Sequence, residues 1–241
     1  MGKIVELVAV SICIYIRKEI LVGEGEGGRA QGRDEGARVG ERVDGDNAYD
    51  EAEEEGWAMP ISEQTFKRIA LEDPEGKWEL HCGRLRSKPG MTYWHNRCGW
   101  LLGVQLHAQL DPEQFEVRVD SGRARRPAST YYIPDVMVIP CALTQRWHEH
   151  PYALEAYSEP LPLVVEVWSP STGEYDVDEK LPEYQRRGDL EIWRIHPYER
   201  SLTAWRRQPD GRYSESSYDG GVVEPIALAG VSIDLDTLFS S

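Results

Sequence analysis

Two short apolar stretches that each carry one acidic residue constrain the fold of this chain most strongly. They are residues 133–139 (IPDVMVI), which contain Asp135, and residues 161–167 (LPLVVEV), which contain Glu166. Short apolar runs rich in β-branched residues are typical of buried strands. A carboxylate buried in such a strand is costly unless it is paired, hydrogen-bonded or bound to a metal. Two of them on neighbouring strands therefore predict a cation site.

The first part of the chain differs in composition from the rest. Residues 1–56 contain 14 acidic and 7 basic residues and are rich in glycine, within a chain of 241 residues with a net charge of −15. Such a segment cannot bury enough apolar surface to fold alone. We therefore predict a disordered acidic extension over residues 1–56 and one folded domain over residues 57–241, a usual domain size.

The overall negative charge argues against general binding of polyanions, because affinity for phosphate backbones comes mainly from Lys and Arg. Any contact with nucleic acid must then be local. Each cluster of basic residues is, by itself, also typical of an ordinary solvated surface. The clusters are Arg84, Arg86 and Lys88; Arg118, Arg123, Arg125 and Arg126; Arg186 and Arg187; and Arg206 and Arg207.

Four widely spaced cysteines, without a CxxC pair, indicate neither a disulfide framework nor a zinc ribbon. This pattern predicts a reducing, cytoplasmic location. A zinc site built from His81, Cys82, His95 and Cys98 stays open as an alternative, although the intervals are not those of a standard module. The apolar residues 4–16 are too few to span a bilayer, so no membrane partner is expected.

The order of predicted elements indicates the fold class. A helix after Ser62 and a hairpin turning at Cys82 and Gly83 precede a long helix over residues 92–110. One strand follows, then a polar loop over residues 121–130, the two carboxylate strands joined by a loop, a helix ending at Gly188, and three antiparallel strands. This order predicts an α+β domain with a mixed sheet flanked by helices, rather than alternating βαβ units.

The helix after the Glu166 strand carries further candidates. Asp176, Lys180 and Tyr184 are spaced four residues apart and would share one helix face. An ordinary surface ion pair explains the same spacing. Pro182 argues for a helix that begins only near residue 178, which would leave Asp176 outside it. Pro134 places Asp135 at a strand start near the sheet edge, with an exposed carboxylate.

Several motifs in their order resemble the Uma family of restriction-endonuclease-like proteins, within the PD-(D/E)XK nuclease superfamily. They are PDVMV, PLVVEVWSPST, the pattern D-x-x-x-K-x-x-x-Y-x-x-x-G, EIWRIHP, the early WELHCGRL and the closing LAGVSIDLDTLF. The resemblance implies that Asp135 and Glu166 hold Mg²⁺ or Mn²⁺ and that Lys180 is the active-site lysine. It adds Glu79 as a further ligand or supporting group, although a surface position on the hairpin explains Glu79 equally well.

The same resemblance assigns supporting places to Tyr184 and to His95, which is otherwise interpreted as a helix-start or packing residue. It also implies a DNA substrate and a homodimer, since cutting two strands requires two active sites. We therefore predict a metal-dependent endonuclease that hydrolyses phosphodiester bonds in DNA. Two alternatives stay open: a catalytically inactive nuclease fold that binds nucleic acid or protein, and an oligomerisation module that uses aromatic residues of the last sheet.

Overall fold

A computed structural model of the protein describes residues 60–127 and 130–240. The predicted disordered extension over residues 1–56 lies outside the described residues. The elements, in chain order, are α1 (Glu63–Glu72), β1 (Trp78–His81), β2 (Arg84–Ser87), α2 (Tyr93–Gln109), β3 (Phe115–Val119), β4 (Ala124–Arg126), β5 (Thr130–Tyr132), β6 (Val136–Pro140), α3 (Cys141–Glu149), β7 (Leu163–Val167), α4 (Gly173–Tyr175), a π-helical turn (Asp176–Lys180), α5 (Leu181–Arg187), β8 (Glu191–His196), β9 (Ser201–Arg207), β10 (Tyr213–Tyr218), β11 (Val222–Val223), β12 (Ile233–Asp234) and α6 (Leu235–Phe239).

Local side-chain chemistry fixes several of these boundaries. Ser62 accepts a hydrogen bond from the Thr65 backbone N–H and begins α1, and Thr92 begins α2 through the backbone N–H of His95. Both are the N-cap contacts that satisfy free amides at a helix start. Helix α5 ends at Gly188, whose φ of 82° is the left-handed cap that glycine adopts without a steric cost.

The hairpin of β1 and β2 turns through two left-handed residues. Cys82 has a φ of 48° and Gly83 a φ of 79°, and the His81–Arg84 pair closes the two-residue loop. Two consecutive positive φ values give the turn twist that matches paired strands. The hairpin thereby fixes the register that carries Glu79 on β1 and Lys88 just beyond β2.

The main sheet has six strands in the order β10-β9-β8-β7-β6-β3. Strands β7 and β8 are parallel, while the other neighbouring pairs are antiparallel. A second sheet has the order β2-β1-β5-β4, and β11 pairs with β12. The mixed sheet is therefore central, and the carboxylate strand β7 occupies an inner position.

Apolar side chains alternate between the two faces of the six-stranded sheet. One face packs Val136, Val165 and Trp193 against Leu102 of α2 and the C-terminal segment. The other face packs Met137 and its neighbours against Tyr184 of α5, together with residues of the second sheet. Helices thus cover both faces. The predicted α+β class, with a mixed sheet flanked by helices, is confirmed.

None of the helices in residues 60–127 and 130–240 combines the length and the apolar character needed to cross a membrane.

Two predicted loops are regular structure instead. Residues 124–126 form β4, because Ala124 is fully buried while Arg125 and Arg126 pair with Glu63 and Glu183. The polar sequence of this segment predicted a loop, because the ion pairs that offset the charge of both arginines involve residues distant in sequence.

The connection after β6, predicted as a loop, contains α3. This helix buries Thr144, whose hydroxyl donates a 2.6 Å hydrogen bond to Glu116 Oε1 on β3. The clustered His and Trp residues suggested irregular structure, but the segment also contains good helix formers such as Ala142, Leu143 and Gln145.

Helix α2 offers a direct test of the core. Leu102 is fully buried against the sheet, whereas Val104 on the same helix is 45% exposed. We expect Leu102→Ala to lower the free energy of unfolding by about 2–5 kcal/mol, because it leaves a cavity in a packed interior. Val104→Ala should change it by less than about 0.5 kcal/mol. Denaturant unfolding of both variants checks this, and equal effects would contradict the assigned packing.

Candidate active site

Asp135 and Glu166 occupy facing positions on neighbouring strands of the main sheet, at the start of β6 and on β7. Val136 of β6 pairs with Val165 of β7, so continuing the register by one residue places Asp135 opposite Glu166. Residues directly opposite in an antiparallel pair project from the same face. The Val167 backbone N–H also donates a 2.6 Å hydrogen bond to Asp135 Oδ2. The two carboxylates predicted from sequence therefore lie side by side.

The prediction that Asp135 is exposed near a sheet edge is wrong. The residue is only 3% exposed, and β6 lies between β3 and β7. Pro134 does keep Asp135 at a strand start, but neighbouring strands cover that end of the sheet. Asp135 still borders a cavity of about 430 Å³, together with Lys88 and His95, so its surroundings open toward the surface on one side.

Two side chains from the surrounding elements hold the Asp135 carboxylate. Lys88 Nζ lies 2.7 Å from Oδ1, and His95 Nε2 lies 2.9 Å from Oδ2. Burial opposes ionisation of Asp135, but Lys88 and then His95 outweigh it, so the pKa of Asp135 is lowered. Burial likewise opposes the charge on Lys88, yet Asp135 raises the Lys88 pKa above its ordinary value. These contacts favour the ionised form of Asp135 at neutral pH.

Lys180 lies among three other buried carboxylates. Its Nζ is 3.2 Å from Glu79 Oε1, 3.3 Å from Glu166 Oε1 and 3.5 Å from Asp176 Oδ1. Burial disfavours the ammonium, but Glu166, Glu79 and Asp176 together raise the Lys180 pKa well above its ordinary value. Lys180 is 2% exposed, so this ammonium is a fixed internal cation.

A π-helical turn places Asp176 and Lys180 on one helix face despite Pro182. The turn spans Asp176–Lys180, and the Leu181 N–H bonds to the Asp176 carbonyl. Pro182 lies in the first turn of α5, where its missing donor costs little. The concern that Asp176 would fall outside the helix is therefore resolved: the i, i+4 pair with Lys180 forms. Such π turns are frequent at functional sites.

Burial disfavours the negative charge of Glu166 and of Asp176. Burial raises the pKa of Glu166 well above its ordinary value, although Lys180 opposes this shift. Burial also raises the pKa of Asp176, against the same lysine. Tyr184 donates a 2.5 Å hydrogen bond to Glu166 Oε1, whereas the buried Asp176 Oδ1 receives no hydrogen bond.

The charge balance of this buried cluster fits an added cation. Four carboxylates face two ammonium groups, those of Lys88 and Lys180, which leaves two negative charges when all four ionise and His95 is neutral; the carboxylates are Glu79, Asp135, Glu166 and Asp176. Within the described part of the chain, no three His, Cys, Asp or Glu side chains form a complete metal cage. Mg²⁺ does not require three protein ligands, since it commonly takes one or two carboxylates and keeps several waters. Asp135 and Glu166 supply oxygen donors of this kind.

Each residue predicted for the site lies in this cluster. Glu79 is not a hairpin surface residue, because it is 1% exposed and accepts a 2.8 Å hydrogen bond from the Ile133 backbone N–H. His95 contacts Asp135 rather than serving only to begin its helix.

Sequence analysis missed Lys88, which it grouped with surface arginines. No periodic signal distinguishes Lys88 from its neighbours Arg84 and Arg86. Its burial depends on the second sheet, where the β1–β2 hairpin presents the end of β2 to the start of β6. Lys88 also pairs with Asp120, another residue that its sequence surroundings did not single out.

The mixed six-stranded sheet with an acidic cluster between β6 and β7 is the arrangement expected of a restriction-endonuclease-like protein. Residues 63–236 match the model of the Uma2 family, which is described as "Putative restriction endonuclease". This match covers well over half of the sequence, and the chain belongs to the Uma2 family. The family resemblance predicted from the motifs is thereby confirmed.

A solved structure supports the same fold. It is a protein from Anabaena variabilis ATCC 29413, described as a putative nuclease belonging to DUF820. It aligns with a TM-score of 0.57 and 17% identity over 68% of this chain and 90% of that chain. At this identity the similarity establishes a shared fold only. None of the curated proteins compared with the chain matches it.

The raised pKa of Glu166 predicts a specific pH dependence of stability without divalent ions. A carboxyl whose folded-state pKa is raised stabilises the fold at pH values below its unfolded-state pKa, and this contribution is lost as the pH rises through the folded-state pKa. Glu166→Gln removes that titration. The melting temperature of the variant, relative to wild type, should therefore increase from about pH 5 to about pH 8.

Thermal unfolding in EDTA across this range measures the difference. Glu113→Gln, which removes an exposed carboxyl, corrects for the general effect of lost charge. A difference between Glu166→Gln and wild type that is the same at every pH would contradict the assigned burial of Glu166.

Proposed function

We propose that this protein is a metal-dependent endonuclease that hydrolyses phosphodiester bonds in DNA. The observation that carries the proposal is the convergence of Asp135, Glu166 and Lys180 in one buried cluster. Membership of a family described as restriction endonuclease supports it. The reaction class requires a pair of hard oxygen donors and a nearby cation, and the cluster contains both.

Asp135 and Glu166 would hold Mg²⁺ or Mn²⁺ in this proposal. The bound ion would supply a Lewis acid that polarises the phosphate and lowers the pKa of a bound water. Lys88 and His95 fix the Asp135 carboxylate, while Tyr184 fixes Glu166 through its hydroxyl. These contacts orient the two acids before any ligand arrives.

Lys180 acts as a charge stabiliser rather than as a base. Its raised pKa keeps the ammonium protonated at neutral pH, so it cannot accept a proton from an attacking water. A fixed ammonium can instead stabilise the negative charge that develops on the phosphate oxygens. Glu79 positions this group, because one of its oxygens contacts both Lys180 and the Ile133 backbone N–H.

The rival function is a nuclease fold that binds nucleic acid without cutting it. The net charge of −15 and the internal partners of the site carboxylates favour it. An oligomerisation role for the aromatic residues of the last sheet is less well supported, because Trp193 is fully buried in the core.

The proposal also includes a cytoplasmic location. It further includes a homodimer in which each subunit cuts one strand, and light scattering tests the dimer.

Cleavage assays on the site acids test the proposal. We expect Asp135→Asn and Glu166→Gln each to abolish Mn²⁺-dependent cleavage of supercoiled and single-stranded DNA, because the metal loses a ligand. Glu113→Gln, the exposed control, should cleave like wild type. Circular dichroism checks that the variants are folded. Full cleavage by a folded Asp135→Asn/Glu166→Gln double variant would rule this site out.

The lysine needs a pair of variants, because its removal leaves buried carboxylates unpaired at a cost of about 3–5 kcal/mol. Lys180→Met should reduce the cleavage rate by about 10²–10³-fold while Mn²⁺ still binds. Lys180→Arg keeps the charge and should recover stability, which separates folding from chemistry. Single-turnover rates and Mn²⁺ titration measure both effects. An unchanged rate in folded Lys180→Met would assign this lysine to structure alone.

A further inference from the structure

A second cavity, distinct from the one beside Asp135, adjoins the acidic cluster on the side of Glu166. Its volume is about 610 Å³, and it lies between β2, β8 and the segment that follows β7. Arg86, Trp168, Tyr175 and Arg194 contribute the larger side chains of its wall. None of these residues has a part in the hydrolytic chemistry proposed above.

Both arginines of this cavity lack the partners that arginines normally have. Within residues 60–127 and 130–240, neither Arg86 nor Arg194 forms an ion pair or donates a hydrogen bond to the protein, and the Arg194 Nε is buried without a partner. Other half-buried arginines of this chain, such as Arg118 and Arg206, pair with carboxylates through Nε. A guanidinium has five donors, and a buried donor without an acceptor is costly. The cavity is therefore suited to an anion.

The arginines are also next to the candidate active site. Arg194 is the Cα partner of Glu166 across β7 and β8, so the two side chains leave the same face of the sheet. Tyr175 connects the other arginine: its ring lies 3.7 Å from the Arg86 guanidinium carbon and 5.6 Å from Lys180 Nζ. An anion between Arg86 and Arg194 would consequently lie beside the scissile position.

We propose that this cavity, called here the arginine subsite (Arg86 and Arg194), binds a backbone phosphate of the nucleic-acid strand next to the bond that is cut. The inference rests on the proposed nuclease function. Phosphodiester oxygens match the planar donor fork of arginine. The indole of Trp168, stacked at 4.2 Å on His196, adds an aromatic surface of the kind that nucleic-acid bases contact.

Two acids limit how strongly the subsite attracts phosphate. Glu174 and Asp178 also border the cavity, and both are exposed, so water screens them more than it screens a buried charge. Removing one of these acids should therefore change the affinity in the opposite direction from removing an arginine. Glu174→Gln should strengthen oligonucleotide binding, whereas removing either arginine should weaken it.

Fluorescence anisotropy of a labelled oligonucleotide, single-stranded and duplex, measures binding without turnover when EDTA is present. We expect Arg86→Gln/Arg194→Gln to lose about tenfold or more in affinity at moderate salt. The slope of log affinity against log salt should fall by about 0.7 for a single strand and about 0.9 for a duplex, because one phosphate is no longer neutralised. Arg84→Gln, an exposed arginine on the same strand β2, should change neither quantity.

A charge-preserving variant and a stability measurement distinguish lost phosphate binding from lost folding. Because Arg86 stacks on Tyr175, Arg86→Gln is compared with Arg86→Lys, which keeps the charge and should recover most of the salt dependence. Melting temperatures show that each variant is folded. A folded double variant that binds like wild type, an equal loss in Arg84→Gln, or no oligonucleotide binding by wild type would each overturn the arginine subsite.

A parallel Mn²⁺ cleavage assay separates this inference from the proposed function. Arginine-dependent binding by a protein that cuts no DNA would support phosphate binding at Arg86 and Arg194 and overturn the hydrolytic activity. Cleavage that proceeds equally in wild type and in the double arginine variant would support the hydrolytic activity and overturn the subsite.

Discussion

The ammonium of Lys180, enclosed by Glu79, Glu166 and Asp176, is the interaction on which the rest of the site depends. Three buried carboxylates around one cation are tolerable only because that cation is present, since an unpaired buried charge costs several kcal/mol. The arrangement joins three separate parts of the chain: the β1–β2 hairpin, the inner strand β7 and the helix that follows it. The cluster therefore forms only when these three parts of the chain have come together.

Asp135 is held by an independent set of contacts. Lys88 and His95 come from the end of β2 and the start of α2, so the two acids of the site have different electrostatic surroundings although they face each other across β6 and β7. One acid is ionised and fixed, while burial favours the protonated form of Glu166. A divalent cation would remove that asymmetry by making the charged form of Glu166 favourable.

Much of this could be predicted from local sequence. The Ser62 cap, the Cys82–Gly83 turn and the Gly188 stop are short-range signals, and a lone acid in an apolar strand identified both carboxylates. The burial of Lys88 could not be predicted, because it results from pairing between distant strands. Strand β4 was missed for the same reason: Arg125 and Arg126 appear polar in sequence, but carboxylates on distant elements pair with them and allow their partial burial.

The most direct test of the central claim is the position of manganese in crystals soaked with Mn²⁺, located by its anomalous scattering. We expect a peak within direct ligand distance of oxygens from both Asp135 and Glu166. The Lys180 ammonium should lie beside the ion without coordinating it. The absence of a manganese peak at these two acids after soaking in saturating Mn²⁺, with the Lys180 ammonium still in contact with Glu166, would contradict the account.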